Sequence, residues 1–241
     1  MTVIYDIIIG IVSSLAYFIL GVLAHKLLLY ASERNRGIVF GVFEKKEKLG
    51  IRMSIRSGPK ATSTPRVSIA EVSALTELIP VLKMIGQKFE LTSETSSYIM
   101  KHYNNILAIG GTKANDVTKM VYERYQHIWP VRINEDTGFE VGAKLYSSVY
   151  SDDGTKLLTD YGLVALIKEK SGDKAEKNVM LVMGYRGYGT EGAVKCLQSK
   201  EFVKIYNRYK KPQRFMAIVK VDFREDGMET SIVEFFPLLT K

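Results

Sequence analysis

"NVMLVMGYRGYGTEGAVKC" occupies residues 178–196. A largely apolar run (178–183) enters a glycine-rich turn (184–192), and the chain after it reads as a helix. Gly187-Tyr188-Gly189-Thr190-Glu191-Gly192 is a literal G-x-G-x-x-G in the strand-to-helix context that motif requires. Glycine lets the backbone turn tightly and approach a ligand closely. A helix N-terminus adds unpaired N–H groups and partial positive charge. Arg186 stands beside the turn with a full charge and a bidentate fork. The plainer alternative is that these glycines only make a sharp corner.

A second stretch has the same form. "NNILAIGG" (104–111) is a short apolar strand ending in two glycines, and "ANDVTKMVYERY" (114–125) fits a helix with Val117, Met120 and Val121 inward. Thr112, Lys113 and Asn115 supply a charge and hydrogen-bonding groups. If both strands are parallel, both loops emerge at the carboxyl edge of one sheet, where such folds bind ligands. "SGPK" (57–60), with Lys60, is a candidate third loop on that rim. A complete dinucleotide site is not expected. Its acidic residue belongs about 20 positions on, whereas Asp222, at the end of the next strand, follows Gly192 by thirty.

Other elements fill in around these two units. Ser68 and Glu71 have capping-box spacing, so a helix starts near Ile69, with Ile69, Val72, Leu75, Leu78, Ile79 and Leu82 on one face. Pro80 is expected to kink or split it. Residues 37–43 and 51–56 read as a hairpin, or as one strand followed by the first strand of a sheet. Residues 138–150 and 162–169 read as strands, one long helix follows the glycine turn, and 215–223 with 229–239 closes a hairpin. The expected fold is a Rossmann-like three-layer α/β sandwich with added β-hairpins.

The N-terminus points to a membrane. Residues 7–24 hold no charge, and eleven of these 18 are Ile, Leu, Val or Phe. As a helix they cover roughly 27 Å, close to a bilayer core, and favour insertion by roughly 3–7 kcal/mol before polar offsets. A cleaved signal peptide would carry Lys or Arg ahead of the run, where this chain has Asp6. Residues 26–60 contain nine Lys/Arg against three Asp/Glu, while 61–241 contain 25 against 22. The positive-inside rule therefore puts the N-terminus outside and the body in the cytoplasm. A single cysteine, Cys196, fits a reducing compartment. Gly10, Ser14, Tyr17, Gly21 and Ala24 recur at spacings of four and three, a stripe suited to self-association in lipid. The resulting organisation is a transmembrane helix (1–30), a basic juxtamembrane linker or hairpin (31–60) and a cytoplasmic domain (51–241).

"IGGTK" (109–113) resembles the glycine-rich strand-to-helix loop of CRISPR-associated Rossmann-fold (CARF) sensor domains, and the membrane helix ahead of the domain resembles their membrane-anchored members. The resemblance implies a cyclic-oligoadenylate-type ligand, contacts from Gly110, Gly111, Thr112 and Lys113, and an oligomer acting on the membrane. "GYRGYGTEG" looks more like uncharacterised archaeal and bacterial Rossmann-like domains that pair a GG loop with a "GxGT" loop, which implies fold alone.

The ligand-binding set is Gly110, Gly111, Thr112, Lys113, Asn115, Arg186, Gly187, Gly189, Thr190 and Glu191. No resident cofactor is expected beyond a nucleotide ligand, and no metal: His25, His102 and His127 lack partners at ligand spacing. The expected partners are membrane lipid, further copies of the chain and a small anion. Nucleic acid is not expected, although "KIYNRYKKPQR" (204–214) mixes bases with aromatics as single-strand binders do; such residues also complement a helix C-terminus. "YSSVYSDDGTKLLTDY" (146–161) reads as a lid or an oligomer contact. The favoured function is a membrane-anchored sensor. Its rivals are a tethered nucleotide or nucleotide-sugar enzyme using Glu191, Asp116 or Asp222, and an anchored interaction domain with structural glycines.

Overall fold

The computed structural model describes residues 20, 22–23, 37–43, 45–54, 67–134, 136–169 and 176–238. The proposed membrane helix, its small-residue stripe, the cations from Lys26 to Arg36, and Lys60 lie outside them, apart from Leu20, Val22 and Leu23, which are helical and exposed. Among the described residues no helix is long and apolar enough to cross a membrane.

Four parallel strands form one half of the central sheet. β1 (Leu49–Met53) leads through α1 (Ile69–Met84) to β2 (Phe89–Thr92). Helix α2 (Ser96–His102) returns the chain to β3 (Asn105–Ile109) on the other side of β1, and α3 (Asp116–Tyr125) follows. A three-stranded antiparallel sheet comes next: β4 (Arg132–Asn134), β5 (Gly138–Val141) and β6 (Lys144–Tyr146). The two-residue β7 (Val149–Tyr150) and the long β8 (Leu157–Glu169) run antiparallel to each other. β9 (Lys177–Gly184) pairs parallel with β3 and antiparallel with β8. Helices α4 (Gly187–Leu197) and α5 (Lys200–Arg208) lead to the closing hairpin of β10 (Phe215–Arg224) and β11 (Gly227–Pro237). The spatial order is β11-β10-β8-β9-β3-β1-β2, with β7 beside β8. Helices α1, α4 and α5 cover one face, and α2, α3 and the small sheet cover the other. These are the three layers of the Rossmann-like expectation, with an antiparallel half added.

Several expectations are corrected. Residues Ile38–Val42 form a 3-10 turn, not a strand, so no hairpin joins them to β1. Arg52 and Ser54 are 8% and 1% exposed because β1 lies between two parallel strands and both its faces are covered. Pro80 sits exposed inside an unbroken α1. The buried face of α1 is Ala70, Glu71, Ala74, Leu75, Leu78, Val81 and Leu82, which leaves Ile69 88% and Val72 48% exposed. Residues 138–150 divide at Gly142, whose φ of +57° makes the turn between β5 and β6. Residues 146–161, read as a lid or an oligomer contact, hold the end of β6, all of β7 and the start of β8. The long helix after the glycine turn is two helices: Ser199 caps α5, accepting a bond from the Phe202 amide at 3.0 Å. Strand β2 and helix α2 had no clear periodicity to announce them.

Glycines let α4 lie on the sheet. A Cβ on Gly189 would stand 2.0 Å from the Tyr161 carbonyl oxygen, and one on Gly162 2.2 Å from the Gly189 carbonyl oxygen. One on Gly192 would meet the Val221 side chain at 2.3 Å. Two of the three motif glycines therefore serve helix–sheet contact. We expect Gly189→Ala to destabilise the fold by about 1–3 kcal/mol through overpacking. Gly41→Ala, where a Cβ meets nothing within 4 Å, should stay within about 0.5–1 kcal/mol of wild type. Chemical denaturation of the two variants side by side checks the difference.

Candidate ligand-binding cleft

Because β3 and β9 are adjacent and parallel, the loops that follow them open side by side at the carboxyl edge of the sheet. Between them and the start of α1 lies a cleft of about 730 Å³, within the usual range for small-molecule sites. One wall is Gly111, Thr112, Lys113 and Ala114, and the opposite wall is Gly184, Tyr185, Arg186, Gly187 and Thr190. Ser68 and Glu71 close one end from α1. Ile133, Asn134 and Phe139 reach over from the small sheet, and Met183 lines the base.

The two cations are held differently. Lys113 Nζ is 3.4 Å from Asp136 Oδ1, in a pair whose side chains are 60% and 90% exposed. Such an exposed pair contributes about 0–1 kcal/mol. The Arg186 guanidinium lies over the Tyr185 ring, 4.9 Å from its centroid, and the Tyr185 hydroxyl donates to the Asp136 carbonyl. The 136 loop thus braces both walls. Gly111 is roomy, its nearest neighbour to a Cβ being the Gly184 carbonyl oxygen at 3.8 Å.

Other candidates stand behind the cleft. Gly110, at φ +113°, is pressed against Ser54 and Glu71, and its carbonyl accepts the Thr118 hydroxyl at 3.0 Å. Asn115 is fully buried. Its oxygen caps α3 by accepting the Val117 and Thr118 amides, and its Nδ2 donates to the Arg52 and Ile109 carbonyls. Asn115 is therefore a rivet between β1, β3 and α3. Gly189 and Glu191 also lie outside the cleft lining. Glu191 pairs with Lys195 one turn along α4, at 3.0 Å.

The N-terminus of α4 already has an anion. Asp160, fully buried on β8, accepts the Gly189 amide at 2.6 Å on one oxygen, and the Ser148 hydroxyl and Tyr161 amide at 2.8 and 2.9 Å on the other. The carboxylate of the protein itself occupies the place that the sequence motif suggested for a ligand. Burial raises its pKa above 3.8, against the bonds from Ser148 and from the Tyr161, Gly189 and Arg186 amides. Asp160 lies 29 residues before Gly189, and no local pattern announces it.

The other carboxylates proposed for catalysis are engaged elsewhere. Asp116 accepts the Arg52 Nε at 3.0 Å and the Ser96 amide at 2.7 Å, joining β1 to the start of α2. Asp222 accepts the Thr159 hydroxyl at 2.7 Å and pairs with Lys220 at 2.8 Å. Glu71 is the carboxylate in the cleft, only 4% exposed. Its sequence signal was present but read as a helix cap; the first strand-to-helix connection of such a sheet also ends at the carboxyl edge. Ile133, Asn134 and Phe139 come from the small sheet and had no motif. Cys196 is buried in the core, where burial pushes its thiol up to about 12. Among the described residues no group of His, Cys, Asp and Glu could hold a metal ion.

Two outcomes test the Asp160 cap. Asp160→Ala should cost about 1–3 kcal/mol by leaving a buried amide unsatisfied, read by chemical denaturation. The raised pKa means the folded state favours the protonated acid. Its contribution is therefore fully present below pH 3.8 and lost as pH rises through the folded-state value. Wild-type stability measured relative to Asp160→Asn should accordingly fall as pH rises from 3.8. No protein-family model matches this chain, and no curated protein matches it in sequence.

Proposed function

We propose that this chain is a single-pass, membrane-anchored cytoplasmic sensor that binds a small anionic ligand, a nucleotide messenger, in the carboxyl-edge cleft. Binding biases an oligomer whose membrane helices meet along the Gly10/Ser14/Gly21/Ala24 face. The reading is carried by one observation: Lys113 and Arg186, from the loops after two adjacent parallel strands, line one cleft together with Thr112, Thr190 and Ser68 and with apolar Ile133, Phe139 and Met183. Two cations with hydroxyls suit a phosphate, and an apolar wall suits a base. The resemblance of residues 109–113 to CARF loops supports the same ligand class. Coupling to the membrane requires that ligand affinity differ between two states of the assembly.

The rival reading is a membrane-tethered enzyme acting on nucleotides. Buried Glu71 in the cleft favours it, in place of Glu191. A sensor leaves the bound nucleotide intact, whereas an enzyme consumes it and stops in Glu71→Gln.

The test is thermal unfolding of the full chain in detergent against a panel of linear and cyclic nucleotides. A ligand at about 100 times its Kd stabilises by about 2.7 kcal/mol, which is about 5–10 °C in midpoint for a chain this long. The shift should vanish in Lys113→Ala and Arg186→Ala. Gly111→Leu should fold normally, because its Cβ is accommodated, yet lose the shift because the rest of the side chain fills the cleft. A flat response to every nucleotide would sink the reading and leave the glycine loops as structural corners.

A further inference from the structure

The edge of the sheet opposite the cleft has its own character. The parallel strands start there, and so does β10, which is antiparallel to β8 as β9 is. The 3-10 turn Ile38–Val42 precedes β1 and packs with α5. Val39, Phe40 and Phe43 join Phe202, Tyr206 and Phe215 in one cluster. The N-terminal part of the chain therefore enters the domain at this edge. Twelve residues separate Ala24 from Gly37, a tether of at most about 45 Å when fully extended.

The same edge is basic. Phe202 and Tyr206 face inward, while Lys204, Arg208, Lys210 and Lys211 are exposed, as are Lys45 and Lys46. Within 45–48 and 200–214, all described residues, nine Lys/Arg stand against Glu47 and Glu201, and one of the nine, Lys48, is paired with Glu90 of β2 at 2.8 Å.

The turn that ends α5 is built against its own preference. The Lys211 amide bonds the Tyr206 carbonyl and the Lys210 amide the Asn207 carbonyl, each at 2.9 Å. This is a Schellman turn, whose left-handed position normally holds glycine. Here Lys210 and Lys211 both adopt it, at φ 58° and 54°. A left-handed side chain is unfavourable, so lysine at these two positions carries a backbone cost that glycine would not, only partly offset by the charge it places at the C-terminal end of α5.

We propose that this amino edge, formed by α5, the Lys210–Lys211 turn and residues 45–48, rests on an anionic bilayer surface and turns the ligand cleft away from it. The proposal rests on residues 7–24 being a membrane helix; exposed helical Leu20, Val22 and Leu23 agree with that. The lysines are held where the chain enters, so their charges meet headgroups without further ordering of the domain.

The experiment uses the full chain carrying Asn207→Cys, labelled with a fluorophore. Asn207 is exposed, and buried Cys196 stays unlabelled in the folded protein. The chain is reconstituted into vesicles of phosphatidylcholine, with or without phosphatidylglycerol, each carrying a headgroup quencher. Quenching should be at least about twofold stronger with phosphatidylglycerol and collapse at about 0.5 M salt. Lys210→Gly/Lys211→Gly should weaken that increase clearly while its unfolding midpoint rises, and Lys210→Arg/Lys211→Arg should keep it in full. Quenching independent of lipid charge, in a chain that floats with both vesicles, overturns the face but not the anchor. A chain that floats with neither overturns both. An undiminished increase in the glycine variant, or displacement of the probe by a single-stranded oligonucleotide but not by anionic lipid, also overturns the face.

Discussion

Helix α4 touches the sheet through backbone, and much of the molecule depends on that approach. Gly162 on β8, Gly184 at the end of β9 and Gly189 in the first turn of α4 stand so close that a Cβ on any of them would meet a main-chain atom within 2.3 Å. Asp160 fastens the contact, its carboxylate accepting the Gly189 amide from the strand beneath. With α4 so placed, Gly187 lies 3.0 Å from Ala70 when given a Cβ, which sets α1 beside it. The start of α1 then closes the end of the cleft with Ser68 and Glu71. The site is thus a consequence of how tightly one helix is drawn down.

A second polar junction does the same for the other loop. Arg52, Asn115 and Asp116 tie β1, β3, α2 and α3 together with side-chain bonds of 2.7 to 3.2 Å. Polar groups held out of water are costly unless engaged: Asn115 is buried and bonded through both ends of its amide, the Asp116 side chain is 40% exposed, and Arg52 Nη1 is buried with no hydrogen-bond partner among the described residues. Here their partners lie on several separate elements, so they fix the carboxyl edge rather than merely satisfying themselves. Gly111, Thr112 and Lys113 are left to face the cleft from a loop held at both ends.

The two edges of the sheet divide the work. The carboxyl edge carries a cleft with a cation on each of two walls; the amino edge carries the chain entry, the aromatic cluster around Phe202 and Phe215, and the exposed lysines.

Local pattern was enough for the two strand–glycine–helix units, because an apolar run, a glycine turn and an amphipathic helix are each properties of neighbouring residues. Cleft residues Gly111, Thr112, Lys113, Arg186, Gly187 and Thr190 were legible for that reason. It was also enough for the closing hairpin. Tertiary structure decided the rest. That Asn115 is a rivet and Gly189 a spacer depends on strands 29 to 63 residues away in sequence. That Asp160 fills the anion position of α4 depends on β8 lying under it, and that Glu71 belongs to the cleft depends on α1 lying beside α4. A motif records which residues can approach a ligand; only the packing of distant elements decides whether a ligand or the protein itself takes the place.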